Sequence, residues 1–282
     1  MLRVAALSVS TVVMLTAFTG CLATPASPSP ASSTDPSSAA GVALPPVGAI
    51  PDYQLGGAYD PAPGVGIVGR DRSETPASDA YSICYVNGFQ TQPGELGEWP
   101  AELLLHRDGE PVFDPDWPDE VLLDTSTADH RDQIAAGIIP WIAGCADAGF
   151  DAVEFDNLDS YTRSGDALSF DDNLALATLL VDTAHATGLA AGQKNAAEDA
   201  VALREQAGFD FALTEECAVF RECSVYTDVY GDAVIDIEYT DALPRPFAEM
   251  CADEESPASM VLRDRDLVTP ADPAYAFETC TG

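Results

Sequence analysis

From Arg131 onward, amphipathic stretches alternate with short apolar runs, and the runs end in polar residues. This order constrains the fold more than any other feature of the chain, because strands joined by helical crossovers must lie parallel. Helices are expected over 131–148, 171–187, 198–206 and 246–252. In the second, Ser169 and Asp172 form a cap pattern, Leu174, Leu176, Leu179, Leu180 and Thr183 keep helical spacing, and Gly188 supplies a stop. Strands are expected over 53–55, 65–68, 81–86, 121–123, 152–155, 189–191, 209–213, 234–237 and 260–262. A domain over 51–282 has the size of a single (β/α)8 TIM barrel. Nine strands compete for eight places, so one is expected to be an extra. The connections over 56–64 and 70–79 are too short or turn-rich for full helices, which makes the N-terminal part irregular. A doubly wound open sheet is the alternative, weakened because no glycine-rich fingerprint follows any strand.

Ahead of this domain, Arg3 precedes an apolar run, Val4 to Phe18, closed by Thr19-Gly20-Cys21. That pattern reads as a secretory signal, too short for a comfortable membrane span. Residues 1–21 are expected to be a lipoprotein signal with Cys21 lipidated, although Phe18 stands where the lipobox prefers leucine. Ordinary secretion is the alternative. Residues 22–50, rich in Ala, Ser, Pro and Thr, cannot bury a core and read as a disordered tether. The expected location is secreted, held by lipid on the outer side of a bacterial cell membrane.

Of seven cysteines, six remain once Cys21 is set aside, an even number suited to disulfides. Cys217 and Cys223 are close enough for a short loop. Cys251 and Cys280 would staple the C-terminal tail, leaving Cys84 with Cys145, but only the first pairing has direct support. No CxxC occurs and His106, His130 and His185 are scattered, so no metal is expected. The net charge of −35 excludes nucleic acid as a partner and disfavours anionic polysaccharides. It would attract a cationic substrate, and it also serves solubility alone.

Along the run from Asp151 to Phe155, Glu154 and Asp156 share one face and Val153 and Phe155 the other. Two carboxylates on one face of a parallel strand call for an active site, since such folds place theirs at strand C-terminal ends. The later strand ends carry more polar groups: Asp156, Asn157 and Asp159; Gln193, Lys194 and Asn195; Glu215 and Glu216; Glu238 and Tyr239. In a barrel these ends converge on one mouth. Lys194, the only lysine, would supply a compact amine there, placed to pair with Asp156. Two carboxylates across a cleft are the minimum for glycoside hydrolysis. Nucleophilic serine chemistry lacks its GxSxG signature. Tyr53, Tyr85, Trp99, Trp117 and Tyr161 are candidate sugar platforms, and Gln54, Asn87, Gln90 and Gln92 offer amides to hydroxyl groups. One feature pulls the other way. Phe209, Phe211 and Leu213 share a face with Glu215, and large apolar residues are expected to face the helices. Strict alternation would then turn Glu216 to the mouth unless a bulge intervenes.

The motifs YQL at 53–55, ICYVNGF at 83–89, GFDAVEFDNLDSY at 149–161, GLAAGQKN at 188–195, FDFALTEEC at 209–217, REC at 221–223 and IEY at 237–239 occur in this order. Together they resemble the endo-α-1,4-polygalactosaminidase family of glycoside hydrolases. The resemblance implies a TIM barrel that cleaves α-1,4-linked galactosamine polymers without a cofactor, with Asp156 and Glu215 as the catalytic carboxylates. Partly de-acetylated galactosamine chains are cationic, which suits the charge. Because Lys194 would hold Asp156 ionised, Glu215 is assigned as the acid. The expected substrate contacts are Gln54, Tyr85, Asn87, Glu154, Asn157, Asp159, Tyr161, Lys194, Asn195, Glu216, Glu238 and Tyr239. Glu216 stands where the family has an amide, and the region 70–79 is shorter than in many relatives. The alternatives are a non-catalytic carbohydrate-binding surface lipoprotein and a glycosidase for another amino-sugar polymer.

Overall fold

Eight short strands run parallel and in chain order. They are β1 (Ile50–Tyr53), β2 (Val65–Asp71), β3 (Tyr81–Asn87), β4 (Ala152–Asp156), β5 (Ala190–Lys194), β6 (Phe211–Glu215), β7 (Val234–Tyr239) and β8 (Ser259–Arg263). The computed structural model describes residues 41–280, so the expected signal segment, Cys21 and the tether up to residue 40 lie outside the described residues. A ninth strand, β9 (Phe277–Thr279), pairs antiparallel with β8 and was not expected from the sequence. Arg263 of β8 reaches across to β1, donating to Asp52 Oδ1 at 2.8 Å and to the Tyr53 carbonyl. The result is a mixed α/β fold with a nearly closed, TIM-like barrel.

The surplus strand is the expected one over 121–123. Its residues form only isolated bridges, to Phe113, Gln90 and Leu104. They belong to an irregular arm over 88–127, inserted between β3 and the helix that crosses over to β4. Two long helices do form. In α1 (Ala128–Ala148) the Thr127 side chain accepts from the His130 N–H, and Gly149 ends the helix at φ +95°, a conformation that glycine adopts without Cβ strain. In α2 (Phe170–Ala186) Ser169 and Asp172 complete the expected capping box. The expected helix over 198–206 breaks into single turns of 3-10, α and π type. Two short helices follow β6, α3 (Cys217–Phe220) and α4 (Cys223–Tyr230). Disulfides join Cys84 to Cys145, Cys217 to Cys223 and Cys251 to Cys280. No helix among the described residues is long and apolar enough to cross a membrane.

The strands bury both faces. Outward, Val86, Phe155 and Ala212 pack against Ile138, Leu176 and Leu180 of the helices. Inward, Tyr53, Ile67, Ile83, Phe211, Leu213, Ile237 and Tyr239 fill the barrel. Each such side chain contributes roughly 1.5–3 kcal/mol when fully buried. The expectation that large residues on β6 face the helices is therefore wrong. Phe211 and Leu213 point into the barrel, and only Phe209, ahead of the strand, packs outside against Phe155. Glycines make the room. A Cβ on Gly192 would lie 2.5 Å from the Phe211 ring, and one on Gly69 would lie 2.6 Å from the Tyr53 ring. Plain alternation then carries Glu215 inward with Phe211 and Leu213, and no bulge is needed. Chain packing also begins earlier than the expected tether boundary at residue 50. Val42 and Ala49 lie against the interior cluster, and Tyr81 donates to the Ala43 carbonyl at 2.7 Å.

Candidate active site

The inward face of each of four successive strands ends in a polar side chain: Asp156 on β4, Lys194 on β5, Glu215 on β6 and Tyr239 on β7. After Asp156 and Lys194 the chain turns away through Asn157 and Asn195 in the left-handed region, at φ +62° and +48°. Asparagine tolerates that conformation better than most residues, so the two strands can end abruptly at the rim. All four groups line one cleft of about 540 Å³.

Lys194 is the hub. Its ammonium lies 3.2 Å from Glu215 Oε2, 3.5 Å from Asp156 Oδ2 and 3.3 Å from the Tyr53 hydroxyl, and its side chain is 2% exposed. Burial disfavours the charge, but Asp156, Glu215 and Glu154 together outweigh it and hold the lysine pKa well above its ordinary value. Glu215 has the converse balance. Burial would raise its pKa, while Lys194 and hydrogen bonds from Tyr239 and Asn195 outweigh that and hold it below the usual carboxylate range. Asn195 Nδ2 donates to Glu215 Oε2 at 3.1 Å, and the Glu215 N–H donates to Asn195 Oδ1 at 2.8 Å, so strand and loop fix each other. Asp156 accepts from the Tyr85 hydroxyl at 2.9 Å and from the Asn157 N–H at 2.8 Å. The ground for separating the two carboxylates is thus removed, because Lys194 contacts both and lies nearer Glu215.

Glu154 lies one step deeper in the barrel, fully buried. Its carboxyl accepts from Tyr53, and burial, opposed by Lys194, pushes its pKa up to about 7. It supports the floor and does not line the cleft. Asn157, Asp159, Asn195 and Glu216 line the cleft. Asp159 pairs with Arg163 at 2.9 Å, and Glu216 pairs with Arg265 at 2.8 Å. Asn87 is buried just behind the wall, donating to Glu120 at 2.9 Å and accepting from Asn157 at 3.1 Å.

Three expected contacts lie elsewhere. Gln54 is fully buried between Asp52 and Arg70, where its amide ties β1 to β2. The Tyr161 hydroxyl donates to Asp199 at 2.9 Å and its ring packs on Phe170, away from the cleft. Glu238 points outward, because Ile235, Ile237 and Tyr239 take the inward positions of β7; it accepts from the Ala218 and Val219 N–H groups. Of the candidate platforms, Trp99 packs edge-on against Trp141, 5.7 Å between rings, whereas Trp117 lies on the cleft and is 59% exposed.

Part of the cleft lining comes from the arm over 88–127, which contributes Asp114, Asp116, Trp117 and Glu120. Burial, opposed by the Asn87 hydrogen bond and reinforced by Asp156 and Asp114, pushes Glu120 up to about 7. Sequence reasoning missed these carboxylates. The signal was the run DPDWPDE at 114–120, acidic and aromatic in a loop beyond a strand end. Arg163 and Arg265, also on the cleft, are each held by carboxylates. The cleft therefore presents two carboxylates around one amine, within an anionic rim. That is equipment for protonating a leaving oxygen and stabilising or attacking an adjacent cationic carbon.

A family model for glycoside-hydrolase family GH114 matches residues 31–282. No curated protein sequence matches significantly. Among solved structures, Aspergillus fumigatus Ega3 in complex with galactosamine superposes with a TM-score of 0.68 at 22% identity, over 84% of this chain and 97% of that one. The glycoside hydrolase domain of PelA from Pseudomonas aeruginosa gives a TM-score of 0.49 at 11% identity, over 78% of this chain and 96% of that one.

Proposed function

From the premise that this chain belongs to glycoside-hydrolase family GH114 and is a glycoside hydrolase, we propose that it cleaves an α-1,4-linked galactosamine polymer between Asp156 and Glu215. The observation that carries this reading is the single buried ammonium of Lys194 held between those two carboxylates at the floor of an acidic cleft. The barrel is read as a (β/α)8 scaffold with the arm over 88–127 inserted ahead of the β3–β4 crossover helix. The Asp114, Asp116 and Glu120 wall suits a substrate carrying free amines, because each unit brings a cation into a rim of like negative charge. The galactosamine bound to Ega3 supports an amino sugar as the ligand class.

One carboxyl protonates the glycosidic oxygen while the other stabilises or attacks the anomeric carbon. Cys21 is proposed to carry a lipid that holds the enzyme outside the cell, and Cys21→Ala should move it from the membrane fraction to the soluble one.

The test is incubation of purified protein with a panel of polysaccharides and mass analysis of the products. Oligosaccharides should appear from partly de-acetylated α-1,4-galactosamine polymer. Tight binding with no product after long incubation would overturn the hydrolytic reading, and product from another amino-sugar polymer alone would overturn the substrate.

A further inference from the structure

On the outer face of β7, behind the strand that carries Glu215, Asp236 and Glu238 stand two residues apart, and both are buried. Asp236 Oδ1 accepts from the Thr214 hydroxyl at 2.7 Å and from the Cys217 N–H at 3.1 Å. Glu238 Oε1 accepts from the Ala218 N–H at 2.9 Å and the Val219 N–H at 3.3 Å. Each carboxyl is left with one buried oxygen that no donor reaches, Asp236 Oδ2 and Glu238 Oε2. The two side chains project from the same face of β7, one step apart along the strand, so their carboxyls are neighbours in the same buried layer. Two ionised carboxylates side by side away from water repel strongly, and a single proton between them would satisfy both orphan oxygens.

The groups around the pair do not neutralise it. Glu216 adds negative charge to Glu238, and the Tyr226 phenol faces Asp236 from α4. Arg245 acts on Glu238 but is engaged by Asp253. Cys217 and Cys223 are joined in a disulfide and carry no charge. Burial and the neighbouring Glu238 push the Asp236 carboxyl well above the ordinary aspartate range, as a retained proton requires.

The partners of the pair give it a task. Thr214 and Cys217 bracket Glu215 and Glu216, and Ala218 and Val219 are the next residues of α3. Glu216 holds φ +63° at this bend, a conformation a glutamate does not favour. We propose that Asp236 and Glu238 share one proton and act as a positioning pair, pinning the bend that sets Glu215 in the cleft. Removing the proton leaves two repelling carboxylates behind the bend and loosens it. The folded protein then holds a proton that the unfolded chain has released. Stability attributable to the pair falls as pH rises from the ordinary aspartate range through the raised value.

The catalytic part of this inference rests on the proposed hydrolysis, but its stability part does not. The test compares wild type, Asp236→Asn and Glu238→Gln by thermal unfolding and kcat/KM across pH, with an infrared measurement of protonated carboxyl groups. The amide introduced by Asp236→Asn would donate an N–H where the proton sits and has no proton to lose. The amide introduced by Glu238→Gln would do the same from the other side. Glu120 and Glu154 also contribute protonated-carboxyl signal near neutral pH, so the readout is a difference: wild type minus Asp236→Asn should leave a protonated-carboxyl band. In both variants the alkaline fall of the unfolding midpoint and of kcat/KM, each normalised to its own maximum, should move up by about one pH unit or more, which is tenfold in rate on that limb. If one variant does not fold, the other carries the comparison. Absence of a band in the wild-type-minus-variant difference, or superimposable normalised profiles, would overturn the proposal. Midpoints that shift with no hydrolysis of the galactosamine polymer in any protein would uphold the proton sharing and refute the substrate reading instead.

Discussion

Lys194→Met deletes the buried ammonium while leaving most of the aliphatic stem to fill its space. The charge sits 3.2 Å from Glu215 and 3.5 Å from Asp156, with Glu154 beneath. At 3.2 Å and an effective dielectric of about 20, two unit charges interact by about 5 kcal/mol. The cleft is open, and water at its mouth screens part of this. With about 1.4 kcal/mol per pKa unit, the Glu215 carboxyl should rise by about 1–3 units in the variant. Breaking a buried ionic set by removing one partner costs about 3–5 kcal/mol. The direction with pH follows from the wild-type balance. Glu215 is held below the usual carboxylate range, so its contribution is present above its unfolded pKa and is lost as pH falls through the folded value. In the variant, Glu154, Asp156 and Glu215 lack their counter-charge. The stability deficit should be greatest near neutral pH and shrink as acid protonates them. Urea unfolding of both proteins across pH measures the deficit, and the acid limb of kcat/KM should move up with the Glu215 pKa. A deficit below about 1 kcal/mol at neutral pH, or one that does not change with pH, would refute the reasoning.

Other perturbations follow from the same geometry. Gly192→Ala would place a methyl 2.5 Å from the Phe211 ring, at a cost of about 1–3 kcal/mol, and Phe211→Leu in the same chain should recover part of it; equal stability of Gly192→Ala and wild type in urea would contradict the packing. Replacing Cys84 and Cys145 by Ala opens a closure of 61 residues, against 6 for Cys217 and Cys223, so the losses should be about 4 and about 2 kcal/mol; the reverse order would contradict the chain-entropy account. His185 bonds to buried Asp210 at 2.7 Å, chiefly the reason its pKa is raised. Its contribution is full below the unfolded pKa of about 6.5 and lost as pH rises through the folded value, so His185→Gln should be less stable than wild type at pH 5–6 and approach it in alkali; a constant difference would refute this.

Much of the site was legible because it follows from strand alternation alone. Glu154 and Asp156 occupy one face of β4 and Lys194 ends β5, so a reader who places those strands also places these groups, whereas Glu215 followed from the motif resemblance against the apparent phase of its strand. Glu238 was misplaced by the same rule in the wrong phase: Ile235 and Ile237 fill the barrel, which turns Glu238 out. The phase of β6 depends on Gly192, since only a missing Cβ on the neighbouring strand admits the Phe211 ring, and no local pattern reveals that pairing. Least legible was the arm over 88–127. Its strand-like run at 121–123 has the composition of a barrel strand but bridges only to its own arm, and Asp114 and Glu120 reach the cleft through that irregular path.

The central claim is that Asp156 and Glu215 jointly break a glycosidic bond. The direct measurement is the rate of oligosaccharide release from partly de-acetylated α-1,4-galactosamine polymer by wild type, Asp156→Asn and Glu215→Gln, with folding of each checked by thermal unfolding. Each variant should keep a cooperative transition and lose about 10²–10⁴ in kcat/KM. Hydrolysis by both folded variants at the wild-type rate would contradict the account.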